Sequence, residues 1–261
     1  MMKIKMKKKI LFVIFLSAST LMMAQDSKSI DVFNHLGAGV SVGTDGIGVD
    51  FATPITSYAA IRAGVSFWPK IGVSKSIHIK DNNPTIADEV TLEGKPNIFD
   101  FKLLADCYPS SKSSFHITAG MFIGSDAFIT ATNTTMFIKD PSKYGKLGLL
   151  VGDYRILTDE NGNISAEAKH NKLKPYLGIG FGRAVPTKSR ISVSCDFGVQ
   201  FWGKSAVYAW TKNDWGDKIY HKFSVDDLDQ YDDKNIKDAL EFIDKITVFP
   251  VLNVRINGRI F

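Results

Sequence analysis

Apolar and polar residues alternate along many short stretches of the chain. The clearest is RISVSCDFGVQFW, residues 190–202, in which every second residue from Ile191 to Phe201 is apolar. A period of two residues predicts a β-strand with one apolar and one polar face. The same pattern recurs at residues 35–43, 47–51, 57–68, 97–108, 114–124, 175–183 and 248–260. The sequence therefore predicts an all-β protein with eight strands.

The links between these strands alternate in length. They are short at 53–57, 109–113 and 184–189, and long at 69–96, 125–173 and 203–246. Short turns at one end and long loops at the other are typical of outer-membrane barrels. We therefore predict a closed antiparallel transmembrane β-barrel, with eight strands favoured. Ten to twelve strands stay open as an alternative, because 126–137 and 163–169 could supply a further pair.

Two of the long loops carry recognisable local structure. Residues 224–246 place Ile236, Leu240 and Ile243 at helical spacing, which predicts one helix in the last loop. Asn161-Gly162 is typical of a hairpin turn, so the loop 125–173 is expected to extend strands beyond the membrane.

The first 24 residues have the pattern of a secretory signal peptide. Five lysines between Lys3 and Lys9 precede an apolar run from Ile10 to Leu16, and Ala24 is a plausible cleavage residue. The apolar run is too short and interrupted for a spanning helix. We predict an exported chain with a signal peptide at 1–24 and one outer-membrane barrel domain at 25–261.

Removing the signal changes the charge balance. The whole chain carries 32 Lys and Arg against 27 Asp and Glu, and all five surplus cations belong to the signal. The remaining chain is therefore neutral, and bulk charge gives no support for nucleic-acid binding. Cys107 and Cys195 fall on strands that are not expected to be neighbours, so we expect free thiols rather than a disulfide.

Several segments resemble the outer-membrane β-barrel proteins of Bacteroidetes, which are distantly like the OmpA-type membrane domain. The resemblance is carried by KPYLGIGFGRAVP (174–186), RISVSCDFGVQFWGK, FPVLNV, HLGAGVSVGTDGIGVDF and DCYPSSKSSFHITAGMF. It covers most of residues 34–261 outside the long loops. It implies a barrel of eight or somewhat more strands, and it implies no particular ligand.

The polar face of the strands is expected to line the barrel interior. If the apolar residues face lipid, the polar residues between them point into the barrel. The expected polar network is Asp50, Arg62, Asp100, Lys102, His116, Asp196 and Arg255, and Asp106 and Gln200 also point inward. An eight-stranded barrel is just wide enough for side chains to fill, and enclosed charges must be paired or hydrated. We predict a polar plug, with a narrow ion path or pH gate as the sharper alternative. Asp196 should meet Arg62 or Arg255.

The sequence predicts no catalytic, metal-binding or cofactor-binding residues. His116 is the main candidate base on a strand, and a nucleophile and orienting group are not evident beside it. The other histidines lack the spacing of zinc ligands. The glycines at 178, 180 and 182 lie inside a strand rather than at a strand–helix junction, so they cannot cradle a dinucleotide. They are expected to leave room for large neighbours.

These observations predict a non-enzymatic protein of the bacterial outer membrane. Its role would be structural, or a surface interaction through the long loops with an unidentified partner. Other expected partners are outer-membrane lipid and the barrel-assembly machinery; nucleic acid is not expected. One alternative is a small diffusion pore of ten or more strands. Another is a soluble periplasmic barrel that binds an apolar ligand, which would need its apolar faces inward.

Overall fold

The computed structural model describes residue 33 and residues 35–78, 85–151, 154–187, 189–212, 217–227 and 234–260. The segment predicted as a signal peptide, 1–24, lies outside these residues. Phe33–Phe261 forms one compact unit. Among the described residues, no helix is long and apolar enough to span a membrane.

Eight strands close into an antiparallel barrel, as predicted. They are β1 (Gly37–Gly43), β2 (Gly46–Thr56), β3 (Ala59–Phe67), β6 (Phe99–Cys107), β7 (Phe115–Gly124), β12 (Leu173–Phe181), β13 (Ile191–Phe201) and β16 (Val248–Arg259). Each pairs with its neighbour along the chain, and β1 pairs with β16 to close the barrel. All backbone ladders are therefore satisfied within the ring, and no strand edge is left open. The eight-stranded prediction is confirmed.

The remaining strands form a second sheet beyond one end of the barrel. They are β4 (Val73–His78), β5 (Glu89–Pro96), β8 (Ala127–Asn133), β9 (Gly148–Val151), β10 (Tyr154–Leu157), β11 (Ser165–Lys169), β14 (Ala206–Lys212) and β15 (Lys218–Phe223). Its order is β4-β5-β8-β11-β14, with β15 and β10 also on β14 and β9 on β10. We call it the outer sheet.

The outer sheet continues the barrel wall on one side. Strand β5 runs into β6, β8 follows β7, β11 precedes β12, and β14 follows β13. The segments considered as an extra barrel pair do pair with each other, as β8 and β11. They stand above β7 and β12 instead of widening the ring, which makes the ten-strand alternative wrong.

The turn at Asn161-Gly162 is present but does not form a hairpin. Gly162 has a φ of +80°, and the Asp159 carboxylate accepts hydrogen bonds from the backbone N–H groups of Asn161 and Asn163. The strands on either side, β10 and β11, both pair with the same edge of β14. The turn therefore connects two strands that lie one after the other along the same edge of β14.

The loop helix, α1 (Lys234–Lys245), lies within the predicted range 224–246. Leu240 is buried against Ala209 and Phe223 of the outer sheet, and Ile243 packs beside Trp202. The segment Val225–Asp227 before it is a 3-10 turn, in which the Asp227 carboxylate accepts hydrogen bonds from the Ser224 backbone and hydroxyl. The helix thus packs on the loops of its own chain.

Candidate functional site: the closed barrel interior

The outside of the barrel is apolar. Large apolar side chains that are 38–67% exposed cover the outside of seven of the barrel strands. On β3 there is one such residue, Phe67, at the end of the strand. Examples are Val42, Phe51, Phe101, Ile117, Leu177, Phe197 and Ile256. The residues between them point inward and are polar or small, so burial along β6 alternates strictly. The barrel is therefore inverted relative to a soluble one.

Arg62 is the centre of the largest charge cluster inside the barrel. Its guanidinium donates hydrogen bonds to Asp106 at 2.8 Å and to Asp196 at 2.7 Å. His116 Nε2 lies 2.9 Å from Asp196, and the Thr118 hydroxyl donates to Asp106. The five residues are 0–5% exposed. Because isolated buried ions are very costly, the two carboxylates share the Arg62 guanidinium and have further polar contacts to Thr118 and His116.

A second cluster joins three charges from different strands. Asp50 on β2 lies 2.5 Å from Nη2 of Arg255 on β16 and 3.1 Å from Nζ of Lys102 on β6. Lys102 Nζ also lies 3.4 Å from the Ser41 hydroxyl. The side chains of all three charged residues are at most 4% exposed. This cluster ties strands on opposite sides of the ring together through their side chains.

Asp100 pairs with a cation that the sequence patterns did not single out. Lys174, at the start of β12, donates to both carboxylate oxygens of Asp100 at 2.6 Å and is fully buried. Lys174 has the same parity as the inward residues Tyr176 and Gly178, which is the signal that would have found it. It was missed because the predicted strand began at residue 175.

An apolar layer lies within the same interior. Leu104, Phe122, Tyr176 and Val251 form one buried cluster, in which the rings of Phe122 and Tyr176 meet edge to face at 5.6 Å. A side chain at Gly178 or Gly198 would collide with the Tyr176 hydroxyl. These glycines therefore leave room for a large neighbour, as predicted for Gly178.

The space left between the charged clusters and this layer is small. The cavity has a volume of about 10 Å³ and is lined by Arg62, Lys102, Leu104, Tyr176, Asp196 and Arg255, among others. A cavity of roughly this size holds about one water molecule. Side chains thus fill the described lumen.

The end of the barrel with the short links is closed by Arg183 and Tyr108. The Arg183 guanidinium donates to backbone carbonyls of Ser57, Ser111 and Ser113 in two different turns and lies 4.5 Å from the Tyr108 ring centre. Ala184 and Val185 are buried against Tyr108, Ala52 and Ala60. The turn after β12 thus folds across this end as an apolar cover.

The opposite end is closed by a stack of rings. Trp202 stacks on Phe249 at 4.5 Å, contacts Phe128 and His170, and donates its indole N–H to Gln200 inside the barrel. Burial, with Lys174 nearby, lowers the pKa of His170 to about 4. His170 is therefore neutral at pH 7 and belongs to the apolar cover at this end.

All seven residues of the predicted polar network lie inside the barrel and are buried, as are Asp106 and Gln200. The structure separates them into three groups, around Arg62, around Asp50 and around Asp100. Arg62 and Arg255 were the two partners considered for Asp196. Asp196 pairs with Arg62, and Arg255 pairs with Asp50. Asp106, which the strand pattern also turns inward, and Lys174, which was not predicted, complete the network. Cys107 and Cys195 are free thiols on β6 and β13, which are not adjacent strands.

These features define a class of protein: a small closed β-barrel with an apolar outside and a charged inside, the arrangement of barrels that span membranes. No family model matches the sequence, and no curated protein matches it. The solved structures of Acinetobacter baumannii CarO and CarO2 are similar to it, at 19% and 20% identity, each with a TM-score of 0.45. The alignments cover 85% and 86% of this chain and 96% and 98% of theirs.

Proposed function

We propose that the protein is a non-enzymatic outer-membrane β-barrel with a closed lumen, whose role is to hold the outer sheet at the cell surface. The observation that carries this is the inverted barrel. Its exposed side chains are apolar around the ring, and its buried ones form ion pairs. Only a nonpolar surrounding medium makes this arrangement favourable, because the same surface in water would expose dozens of apolar residues.

The interior argues against the alternatives. A soluble barrel for an apolar ligand needs an apolar cavity, whereas this lumen contains charged clusters around a cavity of about 10 Å³ that is lined by Arg62, Asp196 and Arg255, among others. A diffusion pore needs a continuous aqueous path, whereas both ends are covered by packed side chains. A closed barrel leaves the outer sheet and its loops as the parts available for interaction.

The finer assignments stay predictions. Membership among Bacteroidetes barrels, distantly OmpA-type, rests on the strand motifs alone. The barrel-assembly machinery is the expected partner during insertion. A surface partner is expected to contact the long loops. The predicted signal peptide at 1–24 is consistent with export to the outer membrane.

Conductance in planar lipid bilayers tests the closed lumen. We expect the refolded wild-type barrel, identified by heat-modifiable migration on a gel, to give no steady openings. Replacing the two rings of the apolar layer, Phe122→Ala with Tyr176→Ala, removes packed volume from the lumen and should produce openings. A matched pair on the lipid-facing side, Phe101→Ala with Phe197→Ala, should stay silent. Steady porin-like openings of the wild type would contradict the proposal.

A further inference from the structure

One face of the outer sheet carries an uncovered group of aromatic and basic side chains. It spans three adjacent strands, β11, β14 and β15. We call it the aromatic–lysine patch and define it by Lys169, Tyr208, Trp210, Lys218, Tyr220 and Lys222. Trp210 is 47% exposed, and Lys218 and Lys222 are exposed.

The rings and lysines of the patch contact each other directly. Tyr220 stacks on Tyr208 with ring centres 5.4 Å apart and lies 5.0 Å from Trp210. Lys169 Nζ lies 4.7 Å from the Tyr220 ring centre, and Lys218 Nζ lies 5.1 Å from that of Trp210. The patch is thus an ordered surface, in which cations alternate with ring faces.

Glu167 is the acidic group within the patch. It accepts a hydrogen bond from the Tyr220 hydroxyl at 2.6 Å and pairs with Lys169 at 3.0 Å. Burial acts to lower the pKa of Lys169, but hydrogen bonds with Tyr220 and Glu167 outweigh it and raise this pKa above its ordinary value. Three lysines against one glutamate leave the patch positive, and Lys212, the cross-strand partner of Lys218, adds an exposed cation on the same face. The further acids nearby are Asp126, which acts electrostatically on Glu167, and Asp217, just before β15.

The patch faces away from the barrel axis. Ala168, between Glu167 and Lys169, points to the opposite face of β11, where it packs with Phe128 and Trp202 above the lumen. Successive residues of a strand alternate between faces, so Glu167 and Lys169 point outward. The patch therefore lies on the same side of the wall as the lipid-facing residues of the barrel.

The patch lies near the end of the barrel's apolar outer surface, the lipid-facing belt, on the side of the outer sheet. Lys169 precedes Leu173, a lipid-facing residue at the start of β12, by four positions, which is roughly 13 Å of extended chain at most. The interfacial layer on each side of a bilayer extends about 5–8 Å beyond the hydrocarbon core. Because barrel strands tilt by about 35–45°, this length corresponds to at most about 10 Å of height, which places the lower part of the patch at the outer edge of the headgroup layer.

We propose that the aromatic–lysine patch binds the phosphorylated sugar headgroup of an outer-leaflet glycolipid. This deepens the proposed function, on which it rests, by naming the partner of the outer sheet. Lysines near a membrane surface attract anionic headgroups, and Trp and Tyr favour the membrane–water interface. Trp210, which is 47% exposed, offers ring surface to a sugar ring. Continuity with the lipid-facing belt favours a lipid over a soluble partner.

Titration with purified lipid A, an acylated glucosamine disaccharide with two phosphates, tests the proposal. The mature protein is folded in zwitterionic detergent micelles, and the Kd is measured by thermophoresis. Because each lysine near such a surface contributes a factor of about five, Lys169→Gln, Lys218→Gln and Lys222→Gln together should raise the Kd at least tenfold. Trp210→Ala should raise it several-fold. The dephosphorylated lipid should bind the wild type as weakly as lipid A binds the triple variant.

The control is a matched triple variant elsewhere on the loops: Lys139→Gln, Lys143→Gln and Lys146→Gln, all exposed. Its Kd should stay within twofold of the wild type. Equal Kd values for the patch and control variants would overturn the proposal. Equal binding of the deacylated, phosphorylated disaccharide would also overturn it, in favour of a soluble glycan. If the patch variant is no longer heat-modifiable, Lys218→Gln with Lys222→Gln replaces it.

Heat-modifiability and conductance of the same preparations separate the two proposals. If the barrel stays folded and silent while lipid A binding does not depend on the patch, only the patch proposal fails. If the wild type conducts steadily, the closed-lumen function fails, whatever the lipid titration shows.

Discussion

Apolar and polar residues alternate in the barrel strands and in the outer sheet, but the apolar residues are exposed in the barrel and buried in the outer sheet. On β13 of the barrel, Phe197 is 58% exposed, whereas Asp196 beside it is 5% exposed. On β15 of the outer sheet, Phe223 is 4% exposed, whereas its neighbour Lys222 is exposed. The period of two specifies two faces, and the surrounding medium decides which of them is buried.

The two regions are consequently held together by different interactions. The outer sheet has apolar cores, such as Phe223 with Leu240 and Ala209, and gains stability from removing apolar surface from water. The barrel interior contains paired charges around Arg62 and Asp50, together with a small apolar layer. A pair of buried charges adds little net stability, but removing one partner is strongly destabilising.

Breaking the Arg62 cluster should give the largest effect. Arg62→Met leaves Asp106 and Asp196 buried without their cation, which should lower the free energy of unfolding by about 3–5 kcal/mol. Urea unfolding of the barrel in lipid vesicles measures it. Arg190→Met, at an exposed residue before β13, is the matched control and should change stability by at most about 0.5 kcal/mol.

A further pair of substitutions identifies the cause. Adding Asp106→Asn and Asp196→Asn to Arg62→Met removes the stranded charges and should restore part of the lost stability. A loss below about 1 kcal/mol for Arg62→Met alone would mean that water compensates these carboxylates, contrary to a filled lumen.

Two phenylalanines of similar exposure test whether the barrel and the loop helix face different media. Phe197 on β13 is 58% exposed and Phe242 on α1 is 66% exposed. Phe197→Arg should cost about 2–4 kcal/mol if it lies near the membrane midplane, because the charge faces hydrocarbon. Phe242→Arg should stay within about 0.5 kcal/mol, because that side chain faces water. Equal costs in vesicle unfolding experiments would show that both residues face the same medium.

The smallest expected effect is a pH dependence at the junction of the two regions. His170 has a pKa lowered to about 4 by burial, against an ordinary value of 6.5. The unfolded segment therefore binds a proton first, so stability is full above pH 6.5 and falls as pH drops from 6.5 toward 4. The loss should be about 1–3 kcal/mol, seen as faster hydrogen exchange of β11 and β14 at pH 4.5 than at pH 7.

His170→Gln is the control, since glutamine does not titrate in this range. The variant should lose most of the difference between pH 7 and pH 4.5 that the wild type shows in β11 and β14. Nearby Asp126 and Lys174 remain in both proteins. An unchanged pH dependence in the variant would assign the effect to other groups.

The patterns alone located the eight barrel strands, the sorting of long and short links, and the seven polar residues expected to point inward. These are local properties: alternation is visible within a few residues, and a charge on the polar parity must face away from lipid. The loop helix was also found, because Leu240 and Ile243 keep helical spacing. Lys174 was missed because its strand was predicted to begin at residue 175, two residues after its observed start at Leu173.

Partnership within the lumen depended on the tertiary structure. Asp196 pairs with Arg62, 134 residues away, although Arg255 lies on the neighbouring strand. Which inward residues share a level depends on the register of every strand around the closed ring, and parity carries no information about it. For the same reason, the strands β8 and β11 could be recognised as a pair, while only the closure of β1 on β16 excluded them from the barrel. Local alternation decided which side chains face inward, and the geometry of closure decided which of them meet.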